Sequence, residues 1–129
     1  MKRITEIMRS GENNAVSNKD ACFREVLEIM DAKRLGVVCI VDEGKLIGIV
    51  TDGDLRRLIL KTQDTLPDLF MKKVNKIMTL NPKVISSEAS LEDCLNMLKK
   101  HRFWVIPVVN EEQMLLGVVH MQDLLEALI

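Results

Sequence analysis

Apolar positions along the chain follow two rhythms, each used twice. Phe23, Val26, Leu27 and Met30 fall at i, i+3, i+4 and i+7, the stripe that an amphipathic helix turns toward a core. Val37 to Val41 and Leu46 to Val50 are short runs rich in β-branched residues, joined by the polar connector Asp42-Glu43-Gly44-Lys45, which predicts an antiparallel strand pair. Asp52-Gly53 has the composition of a hairpin turn. Leu55, Leu58 and Ile59 beyond it are nevertheless spaced as a helix, so the spacing predicts a corner from strand into helix. Leu91, Cys94, Leu95 and Leu98 then repeat the first stripe, and Trp104 to Val109 and Leu115 to Val119 repeat the strand pair. Met121, Leu124, Leu125 and Leu128 close with another helical stripe. Ser90 to Asp93 has the S-x-x-D form of a helix start. Pro107 removes one ladder donor and predicts an edge position or a local irregularity in its strand.

The segment from Glu25 superposes on the segment from Asp93 with one extra residue in the second turn, and Ile7-Met8 upstream matches Ile77-Met78. Internal duplication on this scale outranks local propensity as evidence for the fold. It divides the chain into a first unit at residues 1–61, a connector at 62–75 containing Pro67 and mixed charge, and a second unit at 76–129.

At 129 residues, 47% of them hydrophobic, the chain can bury one compact core made of two small halves. Eighteen basic residues against nineteen acidic leave no overall field to draw it to nucleic acid or an anionic membrane, so any anion must be held locally. The apolar run Leu35 to Val41 is far short of the roughly 20 residues that span a bilayer. The N-terminus has no apolar stretch behind its basic residues, and a cytoplasmic location is the expectation. Cys22, Cys39 and Cys94 sit singly in apolar segments and read as buried, reduced thiols.

The chemistry concentrates at Gly48 to Arg57 and its counterpart Gly117 to Leu125, where a strand hands over to a helix. Backbone N–H groups at a helix N-terminus attract phosphate, the Thr51 hydroxyl adds a donor, and Asp54 or Asp123 can accept both hydroxyls of a ribose. Thr51, Asp52 and Asp54 equally suit helix caps, and the duplication would copy a cap as readily as a ligand site. Arg57 and Arg56 can reach a phosphate or simply be solvated. His101, in Lys99-Lys100-His101-Arg102 at a helix end, complements the helix dipole. Asp52 and Asp54 lack a third nearby carboxylate for a metal, and two scattered histidines supply no catalytic pairing.

The repeated unit resembles a CBS (cystathionine-β-synthase) domain across essentially the whole chain. The resemblance rests on Ile77-Met78-Thr79-Leu80-Asn81-Pro82, the pair Val84-Ile85, Pro107-Val108-Val109, and Gly48-Ile49-Val50-Thr51 followed by Asp54. It implies a mixed α/β (α+β) fold of two βαββα units in pseudo-twofold symmetry, with ligand clefts between their sheets. It also implies a first ligand position at Thr51 and Asp54 with Val16 lining the base pocket, and a second at Asp123 with Thr79, Pro82 and Val84 beside the base. His120 departs from the usual Ser or Thr of the motif; there it can contact a phosphate or carboxylate, or play an uncharged structural role.

Within that family, Thr51-Asp52-Gly53-Asp54-Leu55-Arg56-Arg57 and Gly117 to Leu125 are similar to the C-terminal CBS pair of bacterial arabinose-5-phosphate isomerases, which serve synthesis of the acidic sugar Kdo. The resemblance implies a regulatory fragment without chemistry of its own, with the catalytic sugar-isomerase domain in cis or trans, and a homodimer. It implies a nucleotide ligand, AMP, ADP or ATP, or a nucleotide sugar such as CMP-Kdo. The alternatives are a dimerisation scaffold with degenerate clefts, the regulatory pair of a sugar nucleotidyltransferase, a free-standing CBS protein, and a cryptic phosphoryl-transfer enzyme.

Overall fold

The computed structural model describes residues 2–129. In chain order the elements are α1 (Ile4–Ile7), β1 (Val16–Asn18), α2 (Phe23–Lys33), β2 (Val37–Asp42), β3 (Lys45–Thr51), α3 (Asp52–Lys61), α4 (Leu66–Phe70), β4 (Thr79–Leu80), β5 (Ile85–Ser86), α5 (Leu91–His101), β6 (Val105–Val109), β7 (Leu115–His120) and α6 (Met121–Leu128). Both repeats therefore run βαββα: the duplicated stripes predict the helix, strand pair and final helix, and the family resemblance implies the leading strand.

The compact units do not follow the boundaries of the repeat. One comprises Ala15–Pro82; the other joins the N-terminal segment up to Asn14 to Lys83–Ile129. Residues 2–14, counted with the first repeat by sequence, thus belong to the body of the second, and residues 76–82 to the body of the first. Strand pairing is the physical reason. Thr79 and Leu80 pair antiparallel with Ile49 and Gly48 of β3, and Arg9 forms an antiparallel bridge with Val118 of β7. Each lead-in segment closes the sheet of the opposite repeat.

In the unit Ala15–Pro82 the sheet order is β1-β2-β3-β4, with β1 parallel to β2 and the remaining neighbours antiparallel. Phe23, Val26 and Met30 of α2 are buried, as are Val38, Cys39 and Ile40 of β2 and Val50 of β3. The connector is more than a tether. Thr65 caps α4 by accepting from the Asp68 N–H at 3.3 Å, Pro67 lies in the first turn, and Leu69 and Val74 are fully buried.

In the other unit the sheet order is β5-β6-β7. Ile4 of α1, Leu91, Cys94 and Leu98 of α5, Ile106 and Val108 of β6, Val119 of β7 and Leu124 of α6 form one buried cluster. Pro107 lies in the middle strand, not at an edge. Two-residue β5 pairs only with Val108 and Val109, so Pro107 has a strand partner, Val118, on one side alone, and the register breaks next to it between Val108 and Val109.

Duplication extends to the backbone. Arg34 and Arg102 end α2 and α5 in the left-handed region, with φ of 56° and 58°. Cys39 and Cys94 are buried, and desolvation pushes their thiols up to about 12 and about 11. Cys22, expected to be buried, is only half-buried, because it stands at the N-cap of α2 with its Sγ 3.3 Å from Glu25 Oε1.

Candidate functional site

Thr51 ends β3 and caps α3. Its Oγ1 accepts from the Asp54 N–H at 3.0 Å, and Asp54 Oδ2 accepts from the Thr51 N–H at 3.1 Å, a reciprocal capping box. The box does not exhaust either side chain. The Thr51 hydroxyl keeps its proton to donate, and the Asp54 carboxylate also accepts from Arg57 Nη2 at 2.8 Å and from Thr79 Oγ1 at 3.1 Å. Arg57 folds back over Gly53, where an added Cβ would stand 3.2 Å from its Nη1. Cap and candidate ligand acceptor are one set of atoms.

Thr79 is therefore placed differently from the sequence expectation. The family resemblance groups it with Asp123, but it donates to Asp54, because β4 pairs with β3. Pro82 lies half-buried in the same unit as Thr79, while Val84, also half-buried, lies in the other unit just before β5. Val16 leaves 37% of its surface open in β1, which pairs with β2 at the edge of its sheet among the described residues. Asp52 stands apart from Asp54: its N–H donates to the Gly36 carbonyl at 3.1 Å and its carboxylate crowds Gly36. It lines an open hollow of about 380 Å³ together with Leu27, Met30, Asp31 and Arg34.

In the other unit the equivalent aspartate has a partner that sequence reasoning missed. Arg9 Nε donates to Asp123 Oδ2 at 2.7 Å and Arg9 Nη2 to Asp123 Oδ1 at 3.2 Å. The guanidinium holds the Asp123 carboxyl below its ordinary range, and the carboxylate raises Arg9. The signal was present: Arg9 follows Ile7-Met8 as Thr79 follows Ile77-Met78. His120 takes the Thr51 position and caps α6, its Nδ1 accepting from the Gln122 N–H at 3.1 Å. Burial, and secondarily the charge of Arg9, lower its pKa against the opposing pull of Asp123, so the ring caps in its neutral form. His101 stacks on Phe103 with ring centroids 5.3 Å apart. Among the described residues, no three His, Cys, Asp or Glu side chains are grouped to hold a metal ion, and no helix is long and apolar enough to cross a membrane.

Two βαββα units, each with an aspartate at the N-terminus of its last helix, are the arrangement of a CBS pair, and the chain belongs to the CBS domain family, whose profile matches residues 15–61 and 74–129. It is similar to an uncharacterized protein of Rickettsia prowazekii (strain Madrid E), 40% identical over 97% of this chain and 37% of the relative. It is also similar to arabinose 5-phosphate isomerase KdsD of Salmonella typhi, 35% identical over the same shares. The chain thus spans little more than a third of these relatives. Among solved structures it resembles CBSX2 in complex with AMP, at a TM-score of 0.84 and 25% identity, covering 99% of this chain and 96% of that one.

Proposed function

We propose that this CBS pair senses a nucleotide or nucleotide sugar and modulates an attached or partner enzyme, a sugar-phosphate isomerase of Kdo synthesis. The observation that carries the reading is the Thr51–Asp54–Thr79 cluster with Arg57 beside it. An ionised carboxylate accepts ribose hydroxyls, the Thr51 hydroxyl and the positive end of the α3 dipole favour a phosphate, and Arg57 can turn from Asp54 to that phosphate. Asp52 and Asp54 by themselves would repel an anion, so the arginine is what lets one site take both parts of a nucleotide. Val16 and Pro82 supply apolar surface for a base; Asp123, His120 and Val84 are the corresponding groups of the second position.

Support from relatives is of two kinds. CBSX2 was solved with AMP, and the matched isomerases carry this module as about a third of their length. A ligand that prefers one arrangement of the module shifts that equilibrium in the attached enzyme, with a coupling on the order of 1–3 kcal/mol. CMP-Kdo would make the control feedback by an end product; AMP, ADP and ATP are the other ligands of the proposal. Exposed Ile59 and Leu60 on α3 and Leu125 and Leu128 on α6 favour a homodimer, which serves a sensor and a scaffold alike.

The test is a thermal-shift and calorimetric screen of the chain against adenine, guanine and cytidine nucleotides and CMP-Kdo, with Asp54→Ala alongside. A ligand at 100 times its dissociation constant adds about 2.7 kcal/mol. A shift with one nucleotide class, lost in Asp54→Ala, supports the sensor; no response to any of them at millimolar concentration leaves the scaffold.

A further inference from the structure

The two repeats treat their aspartates differently, beginning with the residue that follows the Ile-Met pair of each lead-in segment. Thr79 gives Asp54 a single neutral hydroxyl donor. Its equivalent, Arg9, gives Asp123 two charged N–H donors, one on each carboxylate oxygen. A ribose cis-diol binds a carboxylate through the same two-point pattern, one hydroxyl per oxygen. A charge-assisted bidentate fork outcompetes it, because such bonds are roughly twice as strong as neutral ones.

Arg9 is also less free to leave its aspartate than Arg57, with a side chain 32% exposed against 56%. The Arg9 N–H donates to the Val118 carbonyl at 2.8 Å, and the Val118 N–H donates back to the Arg9 carbonyl at 2.9 Å. The segment lies so close to β7 that a Cβ on Gly117 would come within 2.5 Å of the Arg9 oxygen. Backbone displacement is thus closed to Arg9. Arg57 makes one bond to Asp54 from a side chain 56% exposed, and leaving it forfeits only an exposed i,i+3 pair. The neighbouring cap has changed as well, since His120 replaces the hydroxyl of Thr51 by a ring whose Nδ1 is already taken by Gln122.

We infer that Arg9 is a specificity-determining lock: it closes the Asp123 carboxylate to a ribose, so that the pair binds one nucleotide, at Asp54. The inference rests on the sensor reading above, and its test separates the two. Binding stoichiometry per chain is measured by calorimetry and equilibrium dialysis with AMP and CMP as probes on the intact chain, on Arg9→Thr, which installs the residue of position 79, and on Asp54→Ala. Arg9→Gln, which removes the charge but keeps the length, stands in if Arg9→Thr loses its circular dichroism spectrum. The stoichiometry rises by one site in the Arg9 variant, and the added site disappears when Asp123→Ala is combined with it.

An unchanged count overturns the lock, whether the unmodified chain binds one nucleotide or none. So does a site that persists in Asp54→Ala and weakens when Arg9 is replaced, because Arg9 would then be a phosphate ligand. If the unmodified chain binds nothing and the Arg9 variant binds one, the lock stands and the sensor reading at Asp54 fails.

Discussion

The Met8 thioether sulfur lies 3.0 Å from the point where a side chain on Gly117 would begin, and the Arg9 carbonyl oxygen lies nearer still, at 2.5 Å. The other repeat has the same crossing, with Met78 Sδ at 2.7 Å and the Thr79 carbonyl oxygen at 2.9 Å from a Cβ on Gly48. Glycine is required at both places for close approach of one backbone to another, not for an unusual φ. The two crossings bring Arg9 to Asp123 and Thr79 to Asp54, so the glycines position the site residues as well as the sheets.

Replacing these glycines with alanine lowers stability by about 1–3 kcal/mol, the usual cost of overpacking. Gly117→Ala costs more than Gly48→Ala. At Gly117 the nearest atom is backbone, whereas at Gly48 it is the flexible end of a methionine. Urea midpoints of the two variants check the order, and a Gly48→Ala loss equal to or larger than that of Gly117→Ala contradicts it.

The bond between Thr79 and Asp54 couples two residues 25 positions apart. Thr79→Val keeps the shape and removes the donor, and Asp54→Ala also strips the capping box. The single changes cost on the order of 0.5 to 1.5 kcal/mol for the first and about 1 to 2 kcal/mol for the second. A double-mutant cycle returns a coupling of about 0.5 kcal/mol or more. Strict additivity in that cycle removes Thr79 from the Asp54 cluster.

Helices α2, α3, α5 and α6 and the two strand pairs were legible because each is set by a local rhythm, which the short α1, α4, β1, β4 and β5 lack. The stripe from Phe23 to Met30 is buried at Phe23, Val26 and Met30, and the runs at Val37 and Leu46 pair as a hairpin. Thr51 and Asp54 were legible for the same reason, since a cap is read within four residues. The partners of Asp54 and Asp123 were not. A lead-in segment such as Ile77-Met78-Thr79 meets two nearly identical docking strands, Gly48-Ile49-Val50 and Gly117-Val118-Val119, and no local signal says which it joins. Aligning the repeats would have exposed the Arg9 and Thr79 contrast, but not which aspartate each one holds. In the connector, Thr65 to Asp68 carries a T-x-x-D start comparable to the S-x-x-D of Ser90 to Asp93, and Pro67 marks a first helical turn.

The cysteines divide by access. Cys39 and Cys94 are buried with their thiols raised to about 12 and about 11, so at mildly alkaline pH neither supplies thiolate to a reagent. Cys22, at the open start of α2, is the one that reacts in the folded chain. An aromatic disulfide reagent titrates one thiol rapidly, and Cys22→Ser abolishes that phase. Two rapid equivalents in the unmodified chain would place a second thiol at the surface.

Acid should act through His120. Folding lowers its pKa from the ordinary value of 6.5, chiefly by burial and then by Arg9, so the unfolded chain binds more protons than the folded one between the folded value and 6.5. Stability therefore rises with pH across that window. The contribution is fully present above 6.5 and lost as pH falls through the folded value. Protonation also removes the Nδ1 lone pair that accepts from Gln122, uncapping α6. Asp123 has the same sign in a lower window: its carboxyl is depressed by Arg9, and its contribution disappears only as pH falls from the usual carboxylate range through its folded value. His120→Asn keeps a side-chain cap without a titrating ring. Stability curves measured from about pH 7 down to about pH 5 separate the two proteins, the unmodified chain losing stability and His120→Asn staying level. Parallel curves would mean that the ring bears no linked proton, and an unmodified chain that gains stability on acidification would reverse the sign assigned to the site.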